Sequence, residues 1–120
     1  MQRQINRGDI FWAAAGREDA KPGLLHPHVI VQADLFNHSR LETVVACALT
    51  SNRRRANEPG NFLLEPGEAG LEKLSVVVVS QLCTLQKADL QAYIGSLSES
   101  RVQQILAGIR FQQRAFFRNP

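Results

Sequence analysis

Three histidines, His26, His28 and His38, and a run of three arginines, Arg53-Arg54-Arg55, are the residues whose types and spacing can do chemistry in this chain. The His-x-His spacing can offer two imidazoles to a metal when both rings fall on one side of a strand. Pro27 between them makes that pairing conditional, and no carboxylate or cysteine lies close enough in sequence to complete a ligand set, so no metal is expected. The arginine run can contact phosphates as a set of charged donors, or be no more than a solvated basic loop. Phe11 and Trp12 can stack on splayed bases, although at least one of them must face the core. There is no Walker A loop, no Rossmann glycine pattern after a strand and no Gly-x-Ser-x-Gly elbow, so no cofactor is expected.

The elements that must position these residues are mostly strands. Ile10 to Ala14 reads as a first strand, opened by the Arg7-Gly8-Asp9 turn and followed by a polar loop from Gly16 to Gly23 that carries Arg17 and Glu18. His28 to Gln32 and Thr43 to Leu49 are β-branched runs that predict two adjacent buried strands. Ser51 to Gly60 reads as a long exposed loop before a short strand at Phe62-Leu63-Leu64. Val76 to Val79 is too apolar for a sheet edge and predicts an interior strand, which Gln81 to Thr84 continue or re-pair. Tyr93-Ile94-Gly95 reads as one more short strand. Ser98 is the expected N-cap of one long helix, with Val102, Ile105, Leu106, Ile109 and Phe116 on one face. Phe111 and Ala115 fall toward the other side, where a subunit contact is expected and Gly108 would allow close approach.

At 120 residues the chain is expected to form one domain, residues 1–120, with a packed core. The four valines Val76 to Val79, and even the longest apolar runs, six residues at Ile10 to Ala15 and Val44 to Leu49, fall far short of the roughly 18 residues a membrane span needs. The start lacks the apolar stretch of a signal peptide, so a cytoplasmic protein with no membrane partner is expected. Cys47 and Cys83 each sit in an apolar stretch without a CxxC spacing and read as buried, reduced thiols. Net charge is +3, distributed as eight Lys/Arg against five Asp/Glu in residues 1–55, two against five in residues 56–95 and four against one in residues 96–120. Basic ends around an acidic middle permit nucleic-acid binding without demanding it.

The order of short fragments along the chain is more specific than any one of them. Arg7-Gly8-Asp9-Ile10, then Pro27 through Asn37, then Leu49-Thr50-Ser51-Asn52, then Gly70-Leu71 before Ser75-Val76-Val77, then Ser80-Gln81 and Leu85-Gln86-Lys87, then Ile94-Gly95-Ser96-Leu97 together resemble the MazF/PemK/Kid family of bacterial toxins. The resemblance spans nearly the whole chain. It implies a mainly β fold with a C-terminal α-helix, an SH3-like small barrel of the CcdB/MazF/Kid type, working as a homodimer whose groove holds single-stranded RNA. It further implies a sequence-selective endoribonuclease that needs no metal, leaves 2′,3′-cyclic phosphate and 5′-hydroxyl ends on messenger RNA, and is neutralised by a cognate MazE-like antitoxin. Family members use an arginine just before the second strand's proline and a threonine closing the third strand. In this chain those positions are held by His26 and Thr50, the expected catalytic pair, while Gln81, Ser51, Asn52, Arg53, Arg17 and Glu18 are the expected RNA-binding residues.

His26 is where the family's pattern and this sequence part. Metal-free RNA cleavage needs a base for the 2′-hydroxyl proton, an acid for the leaving 5′-oxygen and positive donors to the phosphate. Arginine serves the last task and is poor at proton exchange, whereas histidine exchanges protons near neutral pH and lacks the bidentate fork. Three outcomes follow from the substitution: activity through His26, charge stabilisation by Arg17 or Arg53 instead, or a weak or inactive toxin that still binds RNA or its antitoxin. A non-catalytic binding protein, like the branch of this fold that poisons DNA gyrase by contact, is the rival class.

Overall fold

The computed structural model describes residues 3–14 and 24–118, with side chains to residue 114. Six strands form one antiparallel sheet in the order β4-β5-β3-β2-β1-β6, with β1 at Asp9–Ala13, β2 at His26–Ile30, β3 at Thr43–Thr50, β4 at Phe62–Leu64, β5 at Ser75–Gln86 and β6 at Tyr93–Ser96. A short helix α1, Asp34–Asn37, lies between β2 and β3, and a long one, α2, Glu99–Arg118, ends the described chain.

The strand sequences bury side chains on both faces, which is why they read as near-continuous apolar runs. One face carries Ile10, Val29, Cys47, Leu49, Val77 and Val79 and receives Val102 and Ile105 of α2. The other carries Phe11, Ala13, Ile30, Val44, Ala46 and Leu85. Ser98 caps α2 as its type predicts, its Oγ accepting from the Arg101 N–H at 3.2 Å.

The sheet is curled rather than flat, and the cause lies in β5. Cys47 pairs with Leu82 but Leu49 pairs with Val77, so two steps along β3 correspond to five along β5. Four residues, Val78 to Gln81, thus stand against the single Ala48, and this bulge bends β5 so that its first half also pairs with β4 while its second half stays on β3. Curling brings β6 round against the turn before β5. There the backbones of Ala69-Gly70 and Ile94-Gly95 are in contact, and a Cβ at either glycine would collide with the opposing carbonyl.

A second glycine seam docks the helix. A Cβ at Gly108 would lie 2.6 Å from the Gly60 carbonyl oxygen and 2.9 Å from the Val79 side chain. Gly108 therefore serves close approach within the chain, and not the subunit contact expected from its place on the helix. The corner between β2 and β3 is closed by side chains: Gln32 Nε2 donates to Asn37 Oδ1 at 2.9 Å, and Asn37 Nδ2 donates to the Gln32 carbonyl at 2.8 Å. Asp34 Oδ1 also accepts from the Arg7 N–H at 2.6 Å. Among the described residues no helix is long and apolar enough to cross a membrane.

Candidate active site

The register of β2 on β3 decides what stands beside His26. His28 pairs with Ala48, Val29 with Cys47 and Ile30 with Ala46. The paired stretch ends there, and His26 at the start of β2 and Thr50 at the end of β3 lie beyond it, at the same end of these two neighbouring antiparallel strands. His26 pairs with Ala13 on β1, and Thr50 with Val76 on β5, so both strand ends lie at one rim of the sheet. Ala13 and Val76 are buried, whereas His26 and Thr50 are half-exposed.

The chain leaves β3 in a way that keeps this rim polar. Thr50 Oγ1 accepts from the Asn52 N–H at 3.2 Å, and Asn52 Oδ1 accepts from the Arg54 N–H at 3.2 Å, capping a 3-10 helix over Arg53–Asn57. The expected exposed loop is therefore partly helical, and it is anchored. Asn61 Nδ2 donates to the Arg55 carbonyl at 2.8 Å while its Oδ1 accepts from the Val79 N–H at 3.0 Å. Arg55 is drawn to Glu58 at 2.7 Å, while Ser51, Asn52 and Arg53 lie exposed beside Thr50.

Gln81 sits in the bent part of β5, two residues from Cys83, which pairs with Ala46 on the same face as Thr50. It is half-buried and separated from β2 by the width of β3. Arg17 and Glu18 lie outside the described residues. The structure thus brings His26, Thr50, Ser51, Asn52 and Arg53 to one rim and leaves Gln81 one strand away.

His28 has a role that residue type alone did not reveal. Its ring is fully buried, and Nδ1 lies 2.8 Å from the His26 carbonyl oxygen. A carbonyl can only accept, so Nδ1 carries the proton, and the bond fixes the backbone from which the His26 side chain projects. The His-x-His spacing was the available signal; burial turned one imidazole into a backbone clamp. Among the described residues no group of three or more His, Cys, Asp or Glu is placed to hold a metal. Burial, and then the neighbouring Cys83, push the Cys47 thiol up to about 12, which keeps it protonated and unreactive at neutral pH.

An imidazole and a hydroxyl at one rim, followed by an exposed arginine, can exchange a proton with a substrate hydroxyl and donate hydrogen bonds to a phosphate. That chemistry gains a family context from sequence. Residues 6–112 match the model of the PemK-like, MazF-like toxins of type II toxin–antitoxin systems. The chain belongs to that family. It is similar to the endoribonuclease MazF6 of Mycobacterium tuberculosis, at 36% identity over 107 residues covering 88% of this chain and 94% of that protein. The endoribonuclease MazF of Staphylococcus epidermidis is 31% identical over 102 residues, 84% of each chain.

Solved MazF structures share the fold. A mycobacterial endoribonuclease in complex with its cognate antitoxin superposes with a TM-score of 0.73 at 23% identity, over 89% of this chain and 92% of that one. MazF from Deinococcus radiodurans gives 0.71 at 15% identity, over 93% and 98%. The curled sheet with a C-terminal helix is therefore the small barrel of the CcdB/MazF/Kid type.

Proposed function

We propose that this MazF-like toxin is a metal-independent, sequence-selective endoribonuclease that cuts single-stranded RNA, messenger RNA included, at the rim that carries His26 and Thr50. What supports the reading is that the half-exposed ends of β2 and β3, His26 and Thr50, fall at one rim of the sheet, with exposed Arg53 following Thr50 closely in the chain. The names of the relatives as endoribonucleases support it from a separate direction.

In the proposed reaction the neutral imidazole of His26 takes the proton from a ribose 2′-hydroxyl. The 2′-oxygen then bonds to the adjacent phosphorus, the bond from phosphorus to the 5′-oxygen breaks, and that oxygen takes a proton from water, to which the His26 imidazolium afterwards returns the one it took. The products are a 2′,3′-cyclic phosphate and a 5′-hydroxyl. Thr50, whose oxygen already accepts from the Asn52 N–H, directs its own proton to a phosphate oxygen, and Arg53 balances the charge that builds there. Ser51, Asn52 and Gln81, with Arg17 and Glu18, contact the RNA on either side.

The whole chain acts as one domain in a cytoplasmic homodimer, with exposed Phe111 at the subunit contact. A MazE-like antitoxin covers the basic rim with an acidic segment that orders on binding. Incubation of the purified protein with a long RNA in EDTA tests the reading. Fragments with cyclic phosphate ends are expected. Intact RNA would favour the non-catalytic binding class instead.

A further inference from the structure

Trp12 is the only tryptophan of the chain, and it stands 38% exposed directly opposite Pro27 on the neighbouring strand. One residue further along both strands lies the Ala13–His26 pair, so these two apolar rings adjoin the candidate site. They form the wall of a cavity of about 350 Å³ at the same rim, with Leu71 and Ile94 lining its apolar part and Glu72 and Lys73 exposed at its mouth. Its volume lies at the lower end of small-ligand pockets, and its makeup, apolar surfaces with a few convergent polar groups, is that of a site for a flat heteroaromatic ring.

We infer that this cavity is a specificity pocket for one nucleobase of the RNA strand, next to the scissile phosphate. The inference rests on the proposed ribonuclease reading and extends it. Trp12 and Pro27 lie on the sheet face opposite that of His26, because neighbouring residues alternate sides. A strand whose phosphate sits at His26 and Thr50 therefore turns one base over the rim and stacks it on the indole. Glu72 supplies an acceptor and Lys73 donors for the polar edge of that base, so the pair at the mouth, and not the stacking surface, sets which base is preferred.

Cleavage-site sequencing and steady-state kinetics on one RNA test this with Trp12→Ala, Trp12→Phe, Glu72→Gln and Lys73→Ala. Loss of the stacking surface in Trp12→Ala is expected to raise KM about tenfold, with recovery in Trp12→Phe. Glu72→Gln and Lys73→Ala are expected to alter base preference at a single position of the cleavage sequence. Unchanged KM in Trp12→Ala, or an unchanged sequence profile in both mouth variants, overturns the pocket. Fluorescence of Trp12 provides a readout that needs no cleavage. Titration with a pool of single-stranded DNA oligonucleotides of randomised sequence, which lack the 2′-hydroxyl, should give saturable quenching that Lys73→Ala weakens. If the parent cuts no RNA, saturable quenching still supports the pocket while the ribonuclease reading falls; absence of quenching rejects the pocket itself.

Discussion

At the seam between Ala69-Gly70 and Ile94-Gly95 two backbones touch, whereas at the rim two strand ends, His26 and Thr50, are half-exposed. The seam closes the curled sheet and leaves no room even for a methyl group. The rim holds its side chains from behind, through the His28 bond to the His26 carbonyl and the Asn52 bond to Thr50, and leaves their outer atoms accessible. On the proposed reading, closure and chemistry fall to different residues, so substitutions at the two places should fail in different ways.

The most damaging substitution should fall at the seam. Gly95→Ala drives a Cβ into the Ala69 carbonyl, where only backbone can yield, and is expected to lower unfolding stability by about 4 kcal/mol or more in urea titration. A loss under 1 kcal/mol would mean that the seam is not a fixed contact. His26→Ala should do the reverse. Removal of a general base typically costs about 10²-fold or more in rate, so kcat should fall by that factor while the urea midpoint barely moves. Parental cleavage by this variant would remove His26 from the reaction.

A milder effect is expected where the seam turn meets the helix. Arg101 Nε donates to Glu68 at 2.7 Å and Nη2 donates at 3.1 Å, and this guanidinium holds the Glu68 carboxyl below its ordinary 4.5. A depressed carboxylate stabilises the fold above that pH, and its contribution is lost as the pH falls through the folded-state value. Both groups remain partly solvated, so Glu68→Gln should cost only about 0.5–1 kcal/mol at pH 7. Its difference from the parent should close as the pH is taken below 4.5. A gap that persists in acid would assign the effect to packing. The smallest change is expected from Arg53→Ala, exposed at the rim: no measurable loss of stability, and a salt dependence of RNA binding weaker by about one unit of slope. An unchanged slope would place Arg53 off the RNA path.

The strands and the long helix were legible in sequence, whereas the backbone contact at the seam was not. The strands were visible because β-branched runs such as Val76 to Val79 have few other stable fates, and the helix because Ser98 and the spacing of Val102, Ile105 and Ile109 agree. The bend of β5 was not, since the step from the Cys47–Leu82 pair to the Leu49–Val77 pair is a property of two strands together. Helix α1 is too short for periodicity to reveal, yet Gln32 and Asn37, which resembled family residues, prove to lock a corner of the fold. The 3-10 turn over Arg53–Asn57 had a local cue in Asn52, a good capping residue, hidden by the polar composition around it. Gly108 misled because flexibility in sequence does not say which neighbour approaches, and here it is Gly60 of the same chain. Resemblance named His26 and Thr50, and the strand order brought them to one rim; the clamp from His28 depended on burial, which neither pattern encodes.

The central claim, that an imidazole at position 26 exchanges the proton that family arginines cannot, is tested most directly by the pH dependence of kcat in the parent and in His26→Arg. The parent should show a limb between about pH 5 and 8, as a titrating histidine requires, and His26→Arg should retain cleavage without that limb. The same limb in both proteins would contradict the account and place the titrating group elsewhere.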